Sequence, residues 1–540
     1  MAPLHYDQHH LDSEIGKTLF DYADSLKVRV PTSCGRTGEC HECIVDIRRG
    51  MDALSPLADS ETFLRESYRL ACQVSIVDPD ADVEFSVLRR QPRILTDSIR
   101  RQFDIGPVTH RQGEHVYHGD DQLDTYSGQM YGLAVDLGTT TVAMNLVDLE
   151  SGDVLYTASF ENPQRFGGSD IMNRISYDGG PFKGELQQVI LSAINFEIGE
   201  MARQLNFHRR RIYEIVVVGN ATMRDIFFGI DVQSVGERPY KSVTELEMLD
   251  GKRETTALNV SARELGLRVF PDANVYGGPL ISSHVGADVA AGLLAISIDL
   301  EDDLVMLVDV GTNTEVVLGN RHRLMTASCP AGPAFEGGQV TYGMPGYDGA
   351  VESITLDDKG LNYKTIGDAP AQGICGSGLV DLLAELRRTG KMTELGVLEN
   401  RETEFAFVPE NGLTLSRADI SALAQAKSAN YAGQFIVMRK YGEPVEKITK
   451  LYLAGGFANY INEANAVAIG FIANLPPERI LKVGNTSLEG ATIMLLSEEL
   501  RKRMESMVRQ IEHVELETTP DFFDIFVDGC MFNPMISPTE

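Results

Sequence analysis

The stretch "YGLAVDLGTTTVAMNLVDLESGDVLYTASF" (131–160) reads as strand, glycine turn, strand, turn at Glu150-Ser151-Gly152, and strand. Its plan recurs at residues 304–329 as "LVMLVDVGTNTEVVLGNRHRLMTASC", so that Asp136-Leu137-Gly138-Thr139-Thr140-Thr141 aligns with Asp309-Val310-Gly311-Thr312-Asn313-Thr314. A second pair follows the same logic. "EIVVVGNATM" ends an apolar run at Gly219-Asn220, and "KLYLAGGFANY" ends one at Gly455-Gly456. Two early hairpins and two late glycine-ended strands predict a duplicated α/β domain with a cleft between the halves.

The repeated turns carry readable chemistry. A glycine turn between strands exposes backbone N–H groups, and the adjacent threonine hydroxyls add donors, which together make a phosphate cradle. An aspartate at the end of the preceding strand can hold Mg²⁺, usually through water. One such turn could be an ordinary hairpin; two copies with matching flanks argue for a nucleotide site. Gly376-Ser377-Gly378 in "GICGSGLVDLLAEL" opens a helix, a sensible anion site. The loop "CPAGPAFEGG" (329–338) suits the same cleft.

Upstream, "PTSCGRTGECHECIVDI" (31–47) places Cys34, Cys40 and Cys43 in one loop, and Cys72 follows in "RLACQVSI". Four thiolates are a usual ligand set for an iron–sulfur cluster. Gly35 and Gly38 permit the tight turns that aim N–H groups at sulfur. A four-cysteine zinc site is the competing reading, but zinc modules tend to pair their ligands two and two, and here the spacing is three plus one. The flanks predict a helix near Leu19, Phe20 and Ala23, a strand-like "VRV" (28–30), and a strand ending at Gly50. The other cysteines, Cys329, Cys375 and Cys530, form no further motif and are expected as small core thiols.

A chain of 540 residues exceeds one core and implies three or four units. The formal charge of −30 excludes a general nucleic-acid binder and disfavours anionic membranes. The N-terminus shows neither a basic n-region nor an apolar h-region, and the apolar runs are short of a spanning helix, so the cytoplasm is the expected compartment. Between residues 89 and 130 regular patterning fades. That stretch is expected to be a linker with one short helix around 95–103, long enough to let the preceding unit swing.

The cysteine pattern resembles a [2Fe–2S] ferredoxin domain, with an x5 gap in place of the plant-type x4. The repeated turns resemble the superfamily of actin, heat-shock ATPases and sugar kinases (ASKHA). The whole chain resembles the reductive activators of corrinoid proteins, through "SCGRTGECHEC", "AVDLGTTTVA", "NPQRFGGSDIMNRI" (162–175), "GADVAAG" (286–292), "DVGTNTEVVLGN", "CPAGPAFEGG", "GICGSGLVD" and "DFFDIFVDGCMFNP". The expected architecture is multidomain: an α+β ferredoxin-like (β-grasp) domain over 1–88, a linker over 89–130, a first ASKHA half over 131–303 and a second over 304–540 with a C-terminal segment.

The resemblance implies ATP-dependent reduction of a corrinoid protein, one electron passing from a [2Fe–2S] cluster to Co(II) to regenerate Co(I). Plant-type clusters lie near −400 mV, and the Co(II)/Co(I) couple is expected to be lower. A gap of roughly one or two hundred millivolts corresponds to about 2–5 kcal/mol for one electron, within reach of a nucleotide step. The alternatives are an ATP-dependent donor to another low-potential metalloenzyme, or a nucleotide-responsive redox sensor without turnover. The expected partners are a corrinoid protein of a methyltransferase system and an upstream electron donor, with neither nucleic acid nor membrane, and the expected assembly is a homodimer.

Residue roles follow. Cys34, Cys40, Cys43 and Cys72 are expected to bind the cluster. Asp136 and Asp309 are expected to serve Mg²⁺, with Gly138, Thr139, Thr140, Gly311, Thr312 and Asn313 on the phosphates. Gly376, Ser377, Gly455 and Gly456 are expected to line the nucleotide cleft, and Glu315 to orient a water. Ser282, Ser283 and His284 in "YGGPLISSHVGAD" are a candidate corrinoid contact, against the plainer reading of a turn feeding a helix. "SEELRKRMESMVRQIEHVEL" (497–516) reads as an amphipathic helix with a solvated face.

Overall fold

The computed structural model describes residues 3–6, 9–88, 101–357, 360–456 and 458–538. Its N-terminal unit is a five-stranded sheet in the spatial order His9–Asp12, Pro3–Tyr6, Val83–Val87, Ile44–Arg49, Tyr68–Leu70. The strands Pro3–Tyr6 and Val83–Val87 run parallel. The helix Leu19–Ser25 starts at a capping box: Thr18 accepts from the Asp21 N–H, and Asp21 accepts from the Thr18 N–H. Leu19, Phe20, Tyr22 and Ala23 are the face it buries. The cysteine loop lies between this helix and the strand Ile44–Arg49, and "VRV" within the approach to it is irregular rather than a strand.

Two six-stranded sheets form the centres of the two halves that follow. In the first half, Val154–Glu161, Thr141–Asp148 and Tyr131–Leu137 form an antiparallel meander. Ile212–Val218 and Asn274–Gly277 add in parallel on its far side, and Leu258–Ser261 closes the edge. The second half repeats that order with Arg323–Cys329, Thr314–Asn320, Val305–Val310, Lys450–Ala454 and Ile480–Gly484. Numbered in chain order within each sheet, the first runs 3-2-1-4-6-5 and the second 6-3-2-1-4-5, so both share the core 3-2-1-4 with one further parallel strand beyond it, the signature of a duplication. The long strands are buried on both faces, which explains their continuous apolar runs.

The spatial boundary between the halves departs from the chain boundary. The helix Thr486–Leu496 follows the last strand of the second sheet, yet packs against Tyr131–Leu137 and Ile212–Val218 of the first. It crosses the helix Ala287–Ala295 so closely that a Cβ on Gly490 would strike the Ala291 backbone. The helix Glu498–Met507 then buries Leu500, Arg501 and Met504; the helix expected over 497–516 ends at Met507, and a tight turn at Val508–Gln510 and the short strand Glu512–His513 follow it.

The expected linker contains structure of its own. Thr109–Gln112, His115–His118 and Asp121–Thr125 make a three-stranded antiparallel sheet. It is fixed to the first half by the Thr109 N–H donating to Glu214 (3.2 Å) and the Tyr213 hydroxyl donating to Asp124 (2.8 Å). Alternation in such short polar strands is too weak to read as a period. The helix expected around 95–103 lies mostly outside the described residues, and residues 101–103 are not helical. Among the described residues no helix is long and apolar enough to cross a membrane.

Candidate functional site

Local turn chemistry shapes the cysteine loop. Gly35, Arg36, Gly38 and His41 all hold positive φ, which folds the loop tightly enough to bring its thiols inward. The four thiols stand as two pairs. Cys43 and Cys72 are buried with their sulfurs 3.3 Å apart, and Cys34 is hydrogen-bonded to the thiol and N–H of Cys40. Burial raises the Cys34 pKa, but hydrogen bonds from Thr37, Cys40 and the Gly38 amide outweigh it and bring it down to about 5. In the buried pair, the shared hydrogen bond and burial push Cys43 up, while the same bond and one from Gln73 bring Cys72 down to about 7.

Among the described residues no three Cys, His, Asp or Glu side chains converge on a single ion position. Two separated thiol pairs, with N–H donors already aimed at sulfur, fit a two-iron cluster better than one tetrahedral zinc.

The second site is the cleft between the halves, a cavity of about 220 Å³. Every residue assigned to nucleotide, phosphate or magnesium from the sequence lines it: Asp136, Gly138, Thr139, Thr140, Asp309, Gly311, Thr312, Asn313, Gly376, Ser377, Gly455 and Gly456. The two glycine turns meet across it, with the Thr140 and Thr312 hydroxyl oxygens 3.0 Å apart. Gly138 is compelled by space, since a Cβ there would lie 2.5 Å from the Thr141 carbonyl oxygen. Gly455 is compelled by φ (+113°) and by the Val310 carbonyl behind it. Ser377 lies in the first turn of the helix Gly376–Arg388, whose N-terminus opens on the cleft.

The floor of the cleft is acidic. Desolvation raises the Asp136 pKa to about 6 against a hydrogen bond donated by the Asn485 amide (2.8 Å). Burial, together with the Asp136 charge, takes Asp309 to about 7. Asp288 reaches about 8, through burial and the charges of Asp136 and Asp309, despite its bond from the Val289 N–H. Glu315 is buried, pushed up by desolvation and by Asp288 and Asp309, and accepts from Ser328 (3.2 Å). Buried carboxylates this close together fit a site whose charge is completed by a divalent cation, and Mg²⁺ commonly takes one or two of them plus water and phosphate.

Sequence reasoning left several lining residues unassigned. Asp288 lies inside "GADVAAG", and Glu336 inside "CPAGPAFEGG". The Glu336 carboxylate accepts from both Thr140 (3.2 Å) and Thr312, bridging the two turns, and burial raises its pKa. Asn220 donates to Thr139 (3.1 Å) and Asn485 to Asp136. A readable signal existed for this pair: "VVGNATM" (217–223) and "KVGNTSL" (482–488) are alike, and each asparagine caps the helix that follows. Ser282, Ser283 and His284 lie in a pinned turn before the helix Ala287–Ala295. Glu245 accepts from the Ser282 hydroxyl (2.8 Å) and the Ser283 N–H (3.1 Å), and Ser283 is buried.

Three family models match in series. Residues 5–77 match a 2Fe-2S iron-sulfur cluster binding domain, residues 131–301 the RACo middle region, and residues 303–538 the C-terminal domain of RACo, the ASKHA domain. The chain is 30% identical to the corrinoid activation enzyme RamQ of Eubacterium limosum, over 95% of both proteins. The chain belongs to the RACo-type corrinoid activation enzymes. A second relative of this family member, 22% identical over 74% of this chain and 76% of its own, is a [Co(II) methylated amine-specific corrinoid protein] reductase from Methanosarcina barkeri. Among solved structures, a reductive activator for corrinoid, iron-sulfur protein superposes with a TM-score of 0.72 at 27% identity, covering 99% of this RACo-type chain and 98% of the other.

Proposed function

We propose that this protein performs ATP-dependent reductive activation of a corrinoid protein, delivering one electron that returns Co(II) to Co(I). The observation that carries the reading is that two thiol pairs and a two-turn nucleotide cleft lie on one chain aligned end to end with a corrinoid activation enzyme. A [2Fe–2S] centre, when bound, supplies one-electron storage at low potential. Cys34, Cys40, Cys43 and Cys72 would hold it.

The cleft residues do the nucleotide work. The turns at Gly138–Thr140 and Gly311–Asn313 grip phosphate oxygens from opposite halves, so a bound triphosphate ties the halves together. Asp136 and Asp309 would hold Mg²⁺, directly or through water, with Asp288 beside them. Glu315, the cross-strand partner of Asp309, would orient a water by hydrogen bonding. Gly376, Ser377, Gly455 and Gly456 form the wall toward the nucleoside. Because hydrolysis and electron storage occur on one chain, the free energy of nucleotide binding can set the arrangement in which the electron leaves.

The test mixes cluster-loaded, reduced protein with a Co(II) corrinoid protein and follows Co(I) absorbance with and without Mg-ATP. Co(I) formed only with ATP is the expected result. A cluster that stays reduced with ATP present, across several corrinoid partners, would overturn the assignment.

A further inference from the structure

Residues 161–178 touch both sites. At one end they hold the first phosphate turn by its carbonyls: the Asn162 side chain donates to Gly138 (2.8 Å), the Asn162 N–H to Thr140 (2.8 Å), and Arg174 to Thr139 (2.6 Å). All three consecutive carbonyls of the turn are bound by this one segment. At the other end Phe166 and Tyr177 reach the ferredoxin-like domain. The Phe166 ring sets its edge against Phe63 (5.4 Å between centroids), and the Tyr177 hydroxyl donates to the Phe63 carbonyl (2.7 Å). Phe63 in turn stacks on His41 (4.1 Å, 20° between planes), which sits between Cys40 and Cys43. His41 also reaches Glu185 on the first half at 2.9 Å.

We propose that residues 161–178 carry nucleotide occupancy of the cleft to the cysteine loop, with Phe166 as the positioning residue at the domain crossing. This rests on the function proposed above. The physical basis is the stiffness of the peptide plane. A phosphate that reorients N–H groups of the turn rotates the carbonyls fixed to the same planes, and those carbonyls are what Asn162 and Arg174 grip. Both grips lie within four to eight residues of Phe166, in a segment packed without room to absorb the movement: a Cβ on Gly167 would lie 2.7 Å from Leu186. The displacement therefore reaches Phe63 and His41. ATP then alters the seating of the thiol loop on the first half, which is the coupling an uphill electron transfer requires.

The experiment uses the full cluster-loaded chain with a non-hydrolysable Mg-ATP analogue and reads amide hydrogen exchange at residues 34–43 and 60–66. In the unaltered protein, nucleotide changes exchange there by about fivefold or more, the lower end of typical couplings. Phe166→Leu, and independently Phe166→Ala, remove that change, while nucleotide affinity stays within about twofold and less Co(I) forms per ATP hydrolysed. Nucleotide that binds the unaltered protein without changing exchange at either segment overturns the proposal, as does an undiminished change in the Phe166→Leu variant. Co(I) formation that remains ATP-dependent in either case leaves the activator function standing and removes only the relay. Failure of the unaltered protein to bind nucleotide overturns both.

Discussion

At the scale of single residues, Glu336 is the least expected feature of the cleft. A carboxylate that accepts from Thr140 and Thr312 uses the very donors a phosphate oxygen would use, and its charge opposes a triphosphate. Glu336→Gln removes the charge while leaving an amide oxygen able to accept from both hydroxyls, which share one carboxylate oxygen. We expect it to tighten binding of an ATP analogue by about fivefold or more, an energy of about 1 kcal/mol, with a smaller effect on ADP; calorimetric titration of both nucleotides checks this. Equal weakening of both would assign Glu336 to the frame of the site. Cys72 gives a separate prediction. Cys72→Ala is expected to abolish the visible absorbance of the iron–sulfur centre and Co(I) formation, with ATP hydrolysis retained within about threefold, because the cleft residues do not touch it. Absorbance spectra and phosphate release measured on the same preparation decide the matter. The clustering of the cysteines was legible because residue spacing is a one-dimensional pattern. Glu336 was not, because its meaning comes from two threonines 196 and 24 residues away in sequence.

At the scale of elements, the crossing of Ala287–Ala295 and Thr486–Leu496 joins the two halves at a point where only glycine fits. Gly490→Ala places a methyl against the Ala291 backbone, which cannot rotate aside as a side chain would. Overpacking of this kind costs about 1–3 kcal/mol, so the midpoint of urea unfolding is expected to fall. An unchanged midpoint would mean that the helices separate freely. The hairpins of both halves were readable from their continuous apolar runs and paired D-x-G-T turns. The three-stranded sheet at Thr109–Thr125 was not, because its half-exposed strands lack a clean alternation and are held by side chains of the first half such as Glu214 and Tyr213.

At the scale of the whole molecule, the first half is completed by residues that follow the second sheet in the chain. Leu488, Ile493, Met494, Leu495, Leu496, Leu500 and Met504 are buried in the core shared with the first sheet and the ferredoxin-like domain. At about 1.5–3 kcal/mol for each large apolar side chain, their burial is comparable to the entire stability of a domain. A chain ending at residue 484 is therefore expected to lose the first half as well as its own terminus, seen as dye binding to exposed apolar surface and loss of nucleotide binding. A truncated chain that keeps a cooperative thermal transition with the first half intact would contradict this. Chelation gives the companion test: with four buried acids on the cleft floor, three of them raised further by neighbouring carboxylates, removing Mg²⁺ with EDTA is expected to weaken ATP binding at least tenfold. Titration of nucleotide in the presence and absence of EDTA measures it.

The sequence by itself determined the ferredoxin-like loop, the duplicated sheets, the two glycine turns and the class of chemistry, because each is written in local spacing: cysteine intervals, strand-length apolar runs and glycine turns repeated in register. Only the tertiary structure decided which acids share the floor of the cleft, that Glu336 bridges its two sides, that the helices Thr486–Leu496 and Glu498–Met507 complete the first half, and that residues 161–178 lie between the first glycine turn and the cysteine loop. Those facts depend on the packing of segments far apart in the chain, and contacts of that kind leave no period in the sequence from which to read them.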